Sequence, residues 1–216
     1  MTIHNLETTN SVLNNFISEV RNLSTQKDAM RFRRNIERIG EILSYELSKK
    51  LSYSYKNVVS PLGVKKTSIS QKNLVLCSIL RAGLPLHQGI LNYFDSIENA
   101  FISAYRKHTS DTDFEIIVEY LASPSLDQKI LILADPMLAT GSSLVAVHDA
   151  LKKLGNIKQI HIVSVIASTE GIAYVDKFFP KNTHLWVATI DKKLDENGYI
   201  VPGLGDAGDL AYGTKL

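Results

Sequence analysis

Residues 129–155 read KILILADPMLATGSSLVAVHDALKKLG, and the reading of this stretch decides the fold. Five aliphatic residues, Ile130 to Ala134, run without a break into a single acid, Asp135. A short continuous apolar run suits a strand buried on both faces, as in a parallel sheet. A turn of small residues follows, Ala139 to Ser143. After it, the apolar residues recur at helical spacing up to Leu154. Strand, turn and helix in that order are half of a βαβ unit.

Outward from this centre the same alternation continues. Apolar runs predict strands at 73–80, 101–106, 129–134, 160–167 and 184–190, with helices at 85–91, 142–154 and 169–178. Such alternation predicts a mainly parallel central sheet flanked by helices. DFEIIVEYLA at 113–122 follows another strand after the polar loop KHTSDTD, which predicts a hairpin insertion. Toward the N-terminus, 11–20 reads as a short amphipathic helix and 27–50 as a longer one. In the longer helix Phe32, Ile36, Ile39, Leu43 and Leu47 share one face. Residues 51–67, with turn signals at Pro61 and Gly63, read as a connection with room for a small hairpin. DENGYIVPGLGDAGDLAYGTKL at 195–216 has little periodicity and reads as a long Gly-rich loop region. The expectation is a single α/β domain over 1–216, with 1–50 as an N-terminal helical region.

Composition narrows the function classes. The chain has 216 residues, 44% of them apolar, and a formal net charge of +2, so nothing in it asks for a nucleic-acid partner. Basic clusters such as RFRR at 31–34 are ordinary for a helix surface. The lone Cys77, inside NLVLCSIL, reads as a buried thiol, and one cysteine leaves no disulfide framework. The histidines are scattered in sequence, and no His/Cys set has the spacing of a structural metal site. The N-terminus lacks a basic region followed by an apolar one, and no apolar run is long enough for a membrane span. Those features favour the cytoplasm and no membrane partner.

In an open α/β sheet, ligands bind beyond the carboxyl ends of the strands. Asp135 sits at such an end, and Thr140, Gly141, Ser142 and Ser143 sit where the next helix begins. Unpaired backbone N–H groups and the helix dipole favour an anion there, and small residues let it come close. The same pattern also suits a strand–turn–helix with a plain Ser or Thr N-cap. No G-x-x-x-x-G-K-[ST] sequence is present, so this is not an NTPase loop. Gly203-Leu-Gly205-Asp-Ala-Gly208 matches G-x-G-x-x-G, but it follows no apolar strand directly and leaves no room for a βαβ unit.

Several stretches together resemble the phosphoribosyltransferases that use 5-phosphoribosyl-1-diphosphate (PRPP), and most closely the uracil phosphoribosyltransferase family. DPMLATG at 135–141 is similar to that family's PRPP loop, and GYIVPGLGDAGD at 198–209 to its uracil-binding segment. SILRAGLPL at 78–86 and SAYRK at 103–107 resemble its pyrophosphate-contact regions. FRRNIERIGEILSYE at 32–46 and PLG at 61–63 match its N-terminal part. Pro136 stands where many PRPP enzymes carry a second acid, a form typical of the uracil branch. Ser142 stands where many relatives have a second glycine, and YRKHTS lacks the paired acids common after the arginine.

The resemblance implies a type I phosphoribosyltransferase-like fold with a C-terminal base-binding loop. It implies transfer of the phosphoribosyl group from PRPP to uracil, giving UMP and pyrophosphate. Asp135 would accept hydrogen bonds from the ribose hydroxyls and favour positive charge developing near C1. Pro136, Met137 and Leu138 belong to the PRPP loop, and Ala139, Thr140, Gly141, Ser142 and Ser143 would anchor the 5′-phosphate. Arg81 and Arg106 would neutralise pyrophosphate as fixed multi-donor groups. Ile200, Gly205 and Ala207 would meet uracil through their main chains, with Tyr199 supporting the pocket wall. Asp206 would stand beside the base and reach PRPP through magnesium-bound water. Mg²⁺ would be held mainly by PRPP and water. A homodimer or homotetramer is implied, and GTP activates some members. Two other readings stay open at this level: transfer to another base, and a regulatory nucleotide- or RNA-binding protein of the same fold.

Overall fold

The chain begins with a short strand, β1 (Thr2–Asn5), and two helices, α1 (Leu13–Arg21) and α2 (Ala29–Ser48). β2 (Tyr53–Ser60) and β3 (Gly63–Ser70) form a separate antiparallel hairpin. β4 (Leu74–Leu80) leads into α3 (Gly83–Leu91). β5 (Glu98–His108) folds back on β6 (Phe114–Ala122). Then come β7 (Ile130–Ala134), β8 (Met137–Leu138), α4 (Ser142–Leu151), β9 (Gln159–Ser168), α5 (Thr169–Phe178) and β10 (His184–Asp191). A small pair, β11 (Lys193–Leu194) and β12 (Ile200–Val201), precedes the last helix, α6 (Ala207–Tyr212). This computed structural model describes residues 1–70, 73–108 and 114–215, with the backbone alone for 105–108 and 114–116.

The main sheet runs β1-β10-β9-β7-β4-β5-β6, with β8 pairing on β9. All of its pairings are parallel except β5 with β6. Side-chain alternation divides the central strands between two cores. On β7, Ile130, Ile132 and Ala134 face the core that holds Phe32, Ile36, Leu43, Leu86 and Ile90 of α2 and α3. Leu131 and Leu133 face the opposite core, with Leu144, Val147, Ile172 and Val175 of α4 and α5. A fully buried Leu or Ile contributes roughly 1.5–3 kcal/mol, so both layers favour this one register. The apolar face expected on α2 is buried from Phe32 to Leu47, and Asp28 caps its start by accepting from Arg31 N–H at 3.0 Å. Cys77 lies in the second core, and burial pushes its thiol up to about 12.

The structure departs from the sequence reading at both ends of the chain. The N-terminal region is not helical from its start, because β1 joins the sheet edge beside β10. Its TIHN sequence carries no apolar alternation. Ring stacking and hydrogen bonds hold it instead. His4 stacks on Trp186 at 3.8 Å between centroids, and His4 Nε2 lies 3.0 Å from His184 Nδ1. Trp186 Nε1–H donates to His161 Nδ1 at 3.0 Å. Burial, with His184 and His4 next to it, depresses the His161 imidazole to about 4. Residues 53–70 form the hairpin for which the 51–67 connection left room. The C-terminal segment contains β12 and α6 where only loop was expected. Among the described residues no helix is long and apolar enough to cross a membrane.

Candidate active site

Asp135 leaves the carboxyl end of β7 half-buried. Its backbone N–H donates to Val163 O at 3.1 Å, and its carbonyl accepts from Ser164 Oγ at 2.6 Å. Pro136 O accepts from both Val165 N–H and Ile166 N–H, and β8 then pairs with β9. The turn is thus sewn to the neighbouring strand by backbone bonds. Burial drives the Asp135 carboxyl up to about 7, against the pull of the Met137 N–H that donates to Oδ1 at 3.2 Å. A carboxylate this poorly solvated gains from any ligand that brings hydroxyl donors.

The next five residues close a small cavity. Asp135, Met137, Leu138, Ala139, Thr140, Gly141, Ser143 and Leu144 line a space of about 60 Å³. Gly141 is the N-cap of α4 with φ +82° and has no side chain to cap with, while Thr140 Oγ1 accepts from Ser142 N–H at 3.4 Å. The plain Ser or Thr N-cap that the sequence left open is therefore not the arrangement found. The first-turn N–H groups of α4 face the loop as an anion site does. Thr140 Oγ1 and Ser142 Oγ lie 2.7 Å apart and add hydroxyls on the same rim. From behind, Ser168 Oγ donates to Ala139 O at 2.6 Å and accepts from Gly171 N–H at 2.8 Å. A Cβ at Gly141 would lie 2.8 Å from Val175 Cγ2, in a backbone region that L-residues rarely adopt, so the position requires glycine.

Two further segments reach this end of the sheet. β4 ends at a cis Leu80–Arg81 peptide, and the Arg81-Ala82-Gly83 turn follows. Gly83 packs with its Cα hydrogen side toward Ala134 O, where a Cβ would stand 3.3 Å away. The same turn meets α6, since a Cβ at Gly208 would be 3.9 Å from both Ala82 Cβ and Arg81 Nη2. Arg81 Nη2 donates to Asp209 Oδ1 and to Gly213 O, each at 3.3 Å. Asp206 is the N-cap of α6, with Oδ1 accepting from Gly208 N–H at 2.8 Å and Asp209 N–H at 3.0 Å. The PRPP-loop candidates, Arg81 and Asp206 are thereby brought to one edge.

Ile200 and Ala207 are buried, and Gly205 is exposed with φ +91°. Tyr199 is 46% exposed and does not lie in the core, so the structure adds nothing to its wall role. Arg106 falls within β5, opposite Ile116 in the β6 register, but its side chain lies outside the described residues. The 109–113 part of the adjoining loop lies outside them too.

Sequence reasoning missed the side chains that grip the 198–209 segment. Arg21 makes a two-point ion pair with Asp191, at 2.8 and 2.9 Å, and donates to Gly203 O at 2.9 Å. Asp191 Oδ2 also accepts from Gly203 N–H at 2.8 Å. Burial alone would raise the Asp191 carboxyl, yet Arg21 and the Gly203 N–H hold it below its usual range. Gln26 Nε2 donates to Leu204 O at 3.1 Å, and Arg33 Nη1 donates to Ala211 O at 2.6 Å. No local motif marks these residues. Asp191 offered the one available signal, an acid closing an apolar strand as Asp135 does.

The chain matches the uracil phosphoribosyltransferase family over residues 7–214. It is 53% identical over 216 residues to a uracil phosphoribosyltransferase of Porphyromonas gingivalis, with all of both chains covered. A uracil phosphoribosyltransferase of Methanococcus vannielii is 39% identical over 203 residues, covering 93% of this chain and 85% of that one. Among solved structures, the AQ2163 protein from Aquifex aeolicus superposes with a TM-score of 0.88 at 28% identity, with both chains fully covered.

Proposed function

The chain belongs to the uracil phosphoribosyltransferase family, and from that premise we infer how its residues divide the work of moving a 5-phosphoribosyl group from PRPP to uracil, giving UMP and pyrophosphate. The reaction makes four demands: anchor the 5′-phosphate, orient the ribose, neutralise the leaving pyrophosphate and hold the base nitrogen in line. Orientation lowers the barrier by removing freedom before the chemical step. The observation that carries the assignment is the Arg81–Gly83 turn, where a Cβ on Gly83 would stand 3.3 Å from Ala134 O and Arg81 donates to Asp209 and to Gly213 O. It supports a reading in which the PRPP loop, the Arg81 turn and the base segment serve one site.

The 139–143 turn takes the 5′-phosphate with the α4 N–H groups and the hydroxyls of Thr140, Ser142 and Ser143. Asp135 accepts the ribose hydroxyls, which replace the water that burial denies it. Its negative charge then stabilises the positive charge developing at C1. Arg81 meets pyrophosphate, and its present bonds to Asp209 and Gly213 O hold the guanidinium at the mouth of the base segment. Arg106 is its partner in this reading. Ile200, Gly205 and Ala207 present main-chain groups to uracil, whose two carbonyls and two N–H groups suit backbone donors and acceptors.

Among the described residues no cluster of three or more His, Cys, Asp or Glu could hold a metal. In this reading Mg²⁺ would arrive with PRPP and keep several waters, with Asp206 as an outer carboxylate. When bound, the ion neutralises phosphate charge. A cytoplasmic location belongs to the same reading. So does a homodimer or homotetramer, supported by the β2–β3 hairpin, which exposes Tyr55, Val59, Leu62 and Val64. Sedimentation of the pure protein checks the assembly. Pyrophosphate release from PRPP and Mg²⁺, measured base by base, tests the function. Release with uracil and not with cytosine or hypoxanthine is expected. Release with another base in place of uracil would overturn the substrate assignment.

A further inference from the structure

We propose that Arg21, Asp191 and Gln26 are positioning residues that set the backbone geometry with which the 200–207 segment reads the base. The proposal rests on the uracil reading above and adds to it the side chains that make a main-chain reader rigid.

A site that recognises its ligand by main-chain groups needs those groups held within a few tenths of an ångström. A Gly-rich segment does not supply this by itself, since its backbone is the least restricted. Here successive polar groups of the segment are taken up by side chains from elsewhere. Gly203 N–H goes to Asp191, Gly203 C=O to Arg21, and Leu204 C=O to Gln26. Each is bound on the side away from solvent, for Gly203, Leu204, Asp191 and Gln26 are all buried. The turn they fix comes after the cis Val201–Pro202 bond and is so tight that a Cβ on Gly203 would lie 1.9 Å from Ile200 O. Ile200 and Gly205 flank it, so a shift at Gly203 moves both base contacts.

The supports are themselves supported. Arg21 Nη2 also donates to Thr189 Oγ1 at 3.1 Å, and Thr189 Oγ1 donates to Glu7 Oε2 at 2.6 Å. Gln26 Nε2 donates at 2.8 Å to Val20 O as well, tying the brace to the end of α1. A cavity of about 210 Å³, bordered by Ile17, Arg21, Ala188 and Thr189, adjoins the network. Polar bonds rather than close packing therefore hold Arg21 in place. A plain structural salt bridge needs only the Arg21–Asp191 contact. The engagement of both Gly203 backbone groups by the two partners of one ion pair is what ties it to recognition.

The test uses the full chain with Asp191→Asn, Arg21→Lys and Gln26→Leu, none of which touches the PRPP loop. Separate KM values for uracil and PRPP are the readout, with the uracil-to-cytosine ratio of kcat/KM. Small misplacements of a bound reactant can cost up to about a hundredfold. Asp191→Asn and Arg21→Lys are expected to raise the uracil KM by roughly tenfold or more and lower the ratio, while the PRPP KM stays within about twofold. Gln26→Leu, which removes a neutral brace, should show the same pattern more weakly. If the two charged-site variants fail to fold, Gln26→Leu decides alone. An unchanged uracil KM in a folded variant, or equal rises for uracil and PRPP, would overturn the proposal. A wild-type protein inactive with uracil would instead sink the substrate reading on which it stands.

Discussion

The PRPP loop and the base segment lie at the same end of the sheet but are held in opposite ways. Residues 135–143 are fixed by the next strand and helix of the same α/β layers: β9 receives Asp135 N–H and donates to Pro136 O, and Ser168 holds Ala139. Residues 198–209 are fixed by side chains from α1, the connection after it and the end of β10, with Arg21 lying 182 positions from Gly203. The first is a local motif that carries its own scaffold. The second is a strand of backbone shaped by distant partners. Damage to the first should therefore remove chemistry, whereas damage to the support of the second should remove selectivity.

The largest expected effect tests the first half of that contrast. Asp135→Asn keeps the shape and removes the charge proposed to serve the ribose and C1, so kcat should fall by roughly 10²–10³-fold, as for loss of one preorganised electrostatic group. The same change should stabilise the ligand-free fold, and the sign depends on pH. The Asp135 carboxyl is raised in the folded state. The wild type is therefore free of penalty below the usual carboxylate range and loses stability as pH rises from there to about 7. Thermal melts at pH 8 should show the Asn variant ahead, and melts at pH 4 should show no gain. Equal kcat in variant and wild type would break the catalytic half of the contrast. Equal melts at pH 8 would break the burial argument.

Gly203→Ala comes next and strikes the second half. Its Cβ would collide with Ile200 O in a backbone region that favours glycine. The uracil kcat/KM should drop by about a hundredfold with little change in PRPP KM. A parallel loss for both substrates would show that the two loops are not separable. Arg81→Ala is expected to cost about tenfold in PRPP KM and in pyrophosphate affinity, since this guanidinium is partly exposed and its charged hydrogen bonds are modest in value. Isothermal calorimetry with pyrophosphate checks it, and unchanged affinity would remove Arg81 from the leaving-group site. The smallest effect on the fold belongs to Asp206→Ala, which removes the α6 N-cap and should cost about 1 kcal/mol of stability. PRPP turnover should fall, yet the preference for uracil over cytosine should persist. Loss of that preference would mean that the carboxylate, not the main chain, reads the base.

Much of this was legible from residues alone, and the reason is local. The runs at 74–80, 130–134 and 160–167 are apolar enough to announce buried strands, and the parallel core follows from their alternation with helices. Asp135 stands out because an acid at the end of such a run needs a partner. The loop after it is contiguous, so its chemistry can be read in order. The β1 strand was illegible because TIHN buries little and is held by rings on β9 and β10. α6 was illegible because it has only six residues and owes its start to Asp206.

The sequence by itself determined the α/β class, the strand-end position of Asp135 and the small-residue turn before α4, since hydrophobic period and contiguous motifs are properties of neighbouring residues. The tertiary structure alone decided that His4, His161, His184 and Trp186 form one stack, that Arg81 meets Asp209, and that Arg21 and Asp191 grasp Gly203. A hydrogen bond between residues more than a hundred positions apart leaves no periodicity in either segment. Only the folded sheet order, with β10 beside β9 and α1 packed near its end, brings Arg21 within 3 Å of Asp191 and Gly203.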